Sequence, residues 1–203
     1  MKKVALLLVS IFAFCIVFSV VSLCSYKNEL RRALSLWDTI VHSEEIEEYN
    51  PKIDEVIGIY KSVSKRHKHL WTAGYSQHSD FLRVLYYSKN FYTWEQFVQQ
   101  EIAIYERWFA ANPDDKKHLI FYAMYLLETE RKDEGLKILS ELYNPEYKYE
   151  YEINETFDVK SLINFFSGLL LNKLSEEQFK GTIYEEFFDY SVSEIIGITN
   201  DCM

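Results

Sequence analysis

The chain has 203 residues, of which 48% are hydrophobic and 17% aromatic, so it has enough apolar material for a packed core and too much for a disordered chain. Its 22 Lys and Arg against 31 Asp and Glu give a net charge of −9, which argues against nucleic acid as a partner because duplex binding requires Lys and Arg to neutralise phosphates. Six Gly and three Pro are too few for a turn-rich β-sandwich or for the glycine loops that hold nucleotide phosphates. We therefore predict an all-α protein without a cofactor.

The first segment of the chain is long and apolar. Residues 4–23 contain no charged side chain and follow Lys2 and Lys3. At 1.5 Å of rise per residue, twenty residues cover about 30 Å, the thickness of the hydrocarbon core of a bilayer. Residues 1–24 therefore form either a transmembrane anchor that is retained or a signal peptide that is cleaved near Ser22. A third alternative is a lipoprotein that carries its lipid on Cys24.

The start of the sequence also predicts where the rest of the chain lies. Two lysines before a hydrophobic stretch are the common beginning of bacterial export signals, so we expect residues 25–203 to be periplasmic or extracellular and to form a single helical domain. This portion has 20 basic and 31 acidic residues. The excess of acidic residues predicts that it stands off from anionic lipid head groups.

Apolar residues at helical spacing predict antiparallel helices joined by short links. The predicted helices cover 26–47, 51–70, 79–89, 93–111, 116–129, 134–143, 159–174 and 176–190. Capping boxes at Thr93–Gln96 and Ser175–Gln178 mark two of the starts, and Asn112 with Pro113 predicts a simpler cap.

The middle of the chain resembles a tetratricopeptide repeat. Residues 103–115, AIYERWFAANPDD, are similar to the second helix and closing turn of such a repeat, and the following residues fit the next one. The matching positions of that next repeat are Leu119, Tyr122, Ala123, Leu126, Gly135, Leu139 and Leu142. Tyr105 and Leu139 are 34 residues apart, as are Trp108 and Leu142, and 34 is the period of this family.

The resemblance covers residues 101–143 and implies a repeat-like core at 93–143, in either a solenoid or a bundle. It implies that Ala123 and Gly135 stand where two helices approach closely. It further implies binding of a partner protein and no chemistry of its own.

The helix predicted from residue 116 is apolar on both sides, because residues 119–127 are nine apolar residues in a row. If the hairpin is repeat-like, one of these sides faces a concave surface that binds an extended peptide or a helix. The partner-binding residues would then be Lys117, Ile120, Met124 and Leu127. The alternative is that the C-terminal helices bury this side.

Residues 147–153 alternate aromatic and charged side chains with a period of two, which is typical of an extended segment. The segment either packs over the helices as a loop, with Tyr147, Tyr149 and Tyr151 turned inward, or pairs with another chain. We predict no metal site, because His67 and His69 are two positions apart and point to different faces of a helix.

These features predict a membrane-tethered helical protein–protein interaction module, a scaffold or adaptor that is not an enzyme. One alternative is a small single-pass subunit of a membrane complex. Another is a hydrolase that depends on two carboxylates, for which Glu101 with Glu106 or Asp114 with Asp115 are the candidates.

Overall fold

The structure, a computed structural model, describes residues 2–43, 51–66, 72–149, 159–180, 182 and 184–201, without the side chains of 2–18, 72–74 and 198–201. This part of the chain is helical and contains no β-strand, so the predicted all-α class is confirmed for it. The α-helices are α1 (Lys2–Val41), α2 (Pro51–Arg66), α3 (Thr72–Arg83), α4 (Trp94–Ala111), α5 (Lys116–Leu127), α6 (Lys132–Leu142), α7 (Val159–Leu170) and α8 (Val192–Asp201).

The contacts between residues group into two compact units. Unit 1 is residues 1–97 and unit 2 is residues 98–203, so the division falls inside α4. The sequence predicted one domain over 25–203.

Unit 1 is built on the pairing of α1 with α2, and α2 also contacts α3. The buried side chains of α1 and α2 lie one helical turn apart and include Leu30, Ala33, Val56 and Tyr60. Arg66 at the end of α2 forms an ion pair with Glu29 in α1. The start of α2 follows the end of α1 at Val41, and the end of α2 lies beside Glu29, twelve residues earlier in α1. The two helices are therefore antiparallel.

The third helix of unit 1 continues as a π-helix over Val84–Ser88. Asn90 has a φ of 52° and ends this segment, in the left-handed region that asparagine adopts more readily than most residues. The Nζ atom of Lys89 donates to the carbonyl of Ser43 over 2.8 Å. The end of the π-helix therefore lies beside the distal end of α1.

Two predictions about the start of unit 1 concern its helix boundaries. The helix predicted to reach residue 47 ends at Val41, and residues 44–50, with the proposed cap at Asn50, lie outside the described residues. The predicted start of α2 at Pro51 is confirmed.

Unit 2 is centred on the antiparallel pair α5 and α6, and α5 also contacts α7 and α8. A β-carbon added to Gly135 in α6 would lie 2.9 Å from the carbonyl oxygen of Ala123 in α5. The two helices therefore touch at Gly135 and Ala123, the close approach that the repeat resemblance implies. The repeat family itself stays a prediction.

The start of α4 has the predicted capping box. The backbone N–H of Thr93 donates to Oε1 of Gln96 over 3.0 Å, and the N–H of Gln96 donates to Oγ1 of Thr93 over 3.2 Å. The start of α5 differs from its prediction, because Asp115 is the cap instead of Asn112. Its carboxylate accepts the N–H of His118, whereas Asn112 closes the end of α4 through the carbonyl of Trp108.

The predicted helix over 176–190 is wrong. Two short 3₁₀ helices, Glu176–Phe179 and Glu185–Asp189, replace it, and Thr182 forms a turn between them by donating to the carbonyl of Phe179. The capping box at Ser175 is present but starts only the first short helix. A further helix, α8, was not predicted from the sequence; its start is marked by a hydrogen bond of 2.7 Å from the N–H of Ser191 to Glu194.

No helix in the described part of the chain is both long and apolar enough to cross a membrane. The predicted anchor at residues 4–23 falls mostly among residues 2–18, whose side chains lie outside that part.

Candidate functional site

A small polar pocket lies in unit 2, where the loop after α6, the end of α7 and the first 3₁₀ helix meet. Its volume is about 150 Å³. The lining residues are Tyr143, Asn144, Pro145, Tyr147, Tyr149, Asn164, Lys173, Leu174, Gln178 and Phe179. Most of the surface that they present to the pocket is polar.

Asn164 on α7 holds one wall of this pocket. Only 3% of the residue is exposed, and a buried amide is costly unless both of its ends are hydrogen-bonded. Its Oδ1 atom accepts the backbone N–H of Asn144 over 2.6 Å, and its Nδ2 atom donates to the hydroxyl of Tyr149 over 2.7 Å. One side chain thus fixes both ends of the loop 144–149 on α7.

Tyr147 and Tyr149 pack onto the helices. The hydroxyls of Tyr147 and Ser161 are 2.6 Å apart, and the ring of Tyr149 meets the edge of Phe179 with a centroid distance of 5.0 Å. The packed-loop alternative is therefore confirmed for residues 147–149, and Tyr151 lies outside the described residues.

The opposite wall depends on Gly168 near the end of α7. A β-carbon there would lie 2.7 Å from Cε2 of Tyr143 and 2.8 Å from Cγ of Leu174, so no larger side chain fits without moving them. After this glycine, α7 ends four residues before the predicted position 174. Asn172 has a φ of 54°, and the N–H of Lys173 donates to the carbonyl of Gly168 over 2.8 Å, as in a Schellman cap. This turn places Lys173 at the pocket.

The pocket presents amides, phenols and one ammonium group, which together donate and accept hydrogen bonds. Three exposed glutamates lie next to the lining residues in the sequence, namely Glu146, Glu176 and Glu177. This site was not predicted from the sequence. Two signals for it were an asparagine within the apolar helix VKSLINFFSGLL and the Asn-Lys pair that follows that helix.

The charge of the chain is divided unequally between the units. Residues 98–203 contain 10 Lys and Arg and 21 Asp and Glu, a net charge of −11, whereas residues 1–97 contain 12 and 10, a net charge of +2. The acidity of the protein therefore belongs to unit 2.

The predicted partner-binding residues on α5 do not share one environment. Ile120 and Met124 are buried, at 1% and 0% exposure, while Lys117 is exposed and Leu127 is half-buried. Because α5 contacts α7 and α8 as well as α6, this arrangement matches the alternative in which the C-terminal helices cover its second side. The structure shows no open groove along Ile120 and Met124.

The candidate catalytic carboxylates differ in their surroundings. Glu101 is fully buried, whereas Glu106 is exposed and accepts a hydrogen bond of 2.6 Å from Arg131. Asp114 is exposed and Asp115 is held by its neighbours.

Arg131 joins three helices of unit 2. Its guanidinium donates to Glu106 of α4, to the hydroxyl of Tyr122 of α5 over 2.8 Å, and to both carboxylate oxygens of Glu134 of α6. Burial raises the pKa of Tyr122 to about 12; Arg131 opposes this shift, and the two glutamates add to it. The phenol therefore stays neutral and serves as an acceptor for Arg131.

A second hydrogen-bonded cluster closes the hairpin between α4 and α5. The Oδ2 atom of Asp115 accepts a hydrogen bond of 2.9 Å from Nε1 of Trp108 and lies 2.6 Å from Nδ1 of His118. The rings of Trp108 and His118 are 4.9 Å apart. Burial of the Asp115 carboxyl would raise its pKa, but the nearby His118 and the hydrogen bonds from His118 and Trp108 lower it overall.

We expect Asp115→Ala to destabilise unit 2 by about 1–3 kcal/mol, because it removes a helix cap and leaves the Trp108 N–H without its acceptor. The folded-state pKa of Asp115 lies below its unfolded value of about 3.9. The stabilisation that the charge of Asp115 provides is therefore complete above about pH 3.9 and is lost as the pH falls through the folded-state pKa. Urea unfolding at pH 7 and at successively lower pH measures this. A wild-type advantage that does not shrink in acid would contradict the role of the charge.

The remaining predicted sites concern lipid and metal. Cys24 is exposed on α1, and its proposed lipidation stays a prediction. Within the described residues, no three His, Cys, Asp or Glu side chains are grouped as metal ligands. His67 and His69 lie outside those residues.

Comparison with known proteins finds no match, whether to a family model, to a curated protein or to a solved structure.

Proposed function

We propose that this chain is a membrane-tethered helical protein–protein interaction module on the exported side of a bacterial membrane. Residues 4–23 hold it in the bilayer, and unit 2 binds a partner protein that has a basic surface. The division of charge carries this proposal: unit 1, which contains the apolar run, has a net charge of +2, and unit 2 has a net charge of −11.

The tether is supported by the twenty uncharged residues of the apolar run and by the helix that continues from them. α1 extends from Lys2 to Val41, and its exposed side chains Val20, Val21 and Leu23 are apolar. Apolar side chains exposed side by side on a helix suit lipid better than water.

The binding role is supported by the site on unit 2. Hydrogen bonds of Asn164 and the turn at the end of α7 hold the walls of the pocket, and its amides and phenols suit a polar side chain or backbone segment of a partner. Glu146, Glu176 and Glu177 add negative charge beside the pocket and would attract a basic partner.

The test is a crosslinked pull-down of the full chain from carbonate-washed membranes. We expect the protein to stay in the washed membranes and to retain a partner whose capture weakens as salt is raised. Changing Glu146, Glu176 and Glu177 to Gln should lower capture several-fold at low salt.

The matched control is the triple variant Glu130→Gln, Asp133→Asn and Glu141→Gln, which removes the same charge from exposed positions elsewhere in unit 2. It should capture the partner nearly as well as the wild type does. Equal losses in the two triple variants would show that net charge alone matters and that the pocket is not the binding site. Release of the protein by carbonate would reject the tether.

A further inference from the structure

We propose that the base of unit 1 is a docking surface for anionic phospholipid head groups, an inference that rests on the proposed tether. The surface is a basic collar of six residues that the fold assembles just beyond the apolar run. Its members are Lys27, Arg31, Arg32, Lys61, Lys65 and Arg66.

The collar forms because α2 returns antiparallel to α1. Glu29 in α1 meets Arg66 at the end of α2, so the basic end of α2 lies at the level of α1 where its own basic residues stand. Residues 19–34 and 60–66 together hold these six cations and one carboxylate, Glu29. The sequence alone separates the two halves of the collar by almost thirty residues.

The collar lies close to the predicted membrane surface. Lys27 and Arg31 follow Leu23 by four and eight residues, which at 1.5 Å per residue is about 6 and 12 Å along the helix. The first distance is within one Debye length, which is about 8 Å at physiological salt, and the second exceeds it by about 4 Å, a gap that the long side chain of Arg31 can bridge.

Structural roles account for some of these cations but not for all. Arg32 and Arg66 form ion pairs with Glu55 and Glu29, and basic residues at the end of α2 complement its dipole. Lys27 and Arg31 lie in the interior of α1, are exposed, and form no ion pair with a described residue. No helix end requires positive charge at these positions.

Acidic residues offset part of the collar. Glu29 and Glu55 pair with Arg66 and Arg32, so the other four collar cations, Lys27, Arg31, Lys61 and Lys65, are the ones that form no ion pair with a described residue. The negative charge of the whole chain belongs to unit 2. The predicted stand-off from anionic lipid therefore does not apply to the base of unit 1.

The test measures which lipid surrounds the collar. The full chain, with Cys15 and Cys202 replaced by Ser, is labelled with a fluorescent donor at the exposed Cys24 and reconstituted into mixed phosphatidylcholine and phosphatidylglycerol vesicles. One preparation carries an acceptor dye on phosphatidylglycerol and the other carries it on phosphatidylcholine. We expect local enrichment of the anionic lipid by about fivefold for each cation that reaches a head group, and the enrichment should fall as salt rises.

Changing Lys27, Arg31 and Lys65 to Gln should abolish the preference for the anionic acceptor. The control, with Lys116, Lys132 and Lys137 of unit 2 changed to Gln, removes the same charge and should keep the preference. Equal transfer to the two acceptors in the wild type, or a preference that survives the collar substitutions, would overturn the proposal while the tether stands.

Carbonate extraction of the same vesicles tests the tether separately. If carbonate extracts the protein, the tether is rejected. The collar by itself should then make the protein float with anionic vesicles, and this flotation should weaken as salt is raised. Loss of that flotation in the collar variant would uphold the docking surface without the tether. Failure to float at all would reject both proposals.

Discussion

Replacing Met124 by arginine is expected to destabilise unit 2 by about 4 kcal/mol or more, a large fraction of the roughly 5–15 kcal/mol that holds a typical domain folded. Met124 is fully buried in α5, the helix that α6, α7 and α8 all contact. A guanidinium at this position loses its water and finds no prepared acceptor, and the thioether packing is lost as well. Thermal unfolding followed by circular dichroism measures the effect.

The control for this substitution is Ser140→Arg, which places the same side chain on the exposed face of α6. Surface changes of this kind usually alter stability by less than about 0.5 kcal/mol. If Met124→Arg melted like the control, Met124 would not be part of the core, and the concave-surface interpretation of α5 would regain its support.

The sequence predicted the helices best where caps and periodicity are local signals. The capping box at Thr93 acts within three residues, and Gly135 contacts the preceding helix in the chain, so the sequence contains the information directly. The hairpin of α5 and α6 was predicted within two residues at most of its boundaries for this reason.

The burial of α5 was left open because periodicity shows that a side is apolar but not what covers it. α7 and α8 provide the cover from more than thirty residues away, and α8 was not predicted as a separate helix. The capping box and apolar spacing predicted one helix over 176–190. The 3₁₀ helices form instead because Lys180 adopts an extended ψ of 129° and Thr182 turns the chain back toward Phe179.

The pocket could not be predicted for a similar reason. Its lining comes from 143–149, Asn164 and 173–179, which are separate in the sequence and meet only through the end of α7. Asn164 looks unfavourable in an apolar helix until its two hydrogen bonds to the loop are known. The basic collar is comparable, since only the antiparallel return of α2 brings its two halves together.

Replacing a helical glycine by alanine is expected to change stability in opposite directions at Gly58 and at Gly135. In an exposed helix interior, Gly→Ala stabilises by up to about 1 kcal/mol, because alanine loses less backbone entropy on folding. Gly58 in α2 has no atom within 4 Å of the position of an added β-carbon, so Gly58→Ala should raise the melting temperature slightly.

Gly135→Ala should have the opposite sign, although the helix propensity gained is the same. Its β-carbon would lie 2.9 Å from the backbone oxygen of Ala123 and 3.2 Å from side-chain atoms of Leu126 and Leu127. The contact with Ala123 is to main chain that α5 holds in place, so the helices have to separate, and overpacking of this kind costs about 1–3 kcal/mol. Urea unfolding of the two variants beside the wild type gives both signs in one experiment. Stabilisation by both alanines would mean that α5 and α6 do not meet at Ala123 and Gly135, and the predicted repeat resemblance would lose the close approach that it implies.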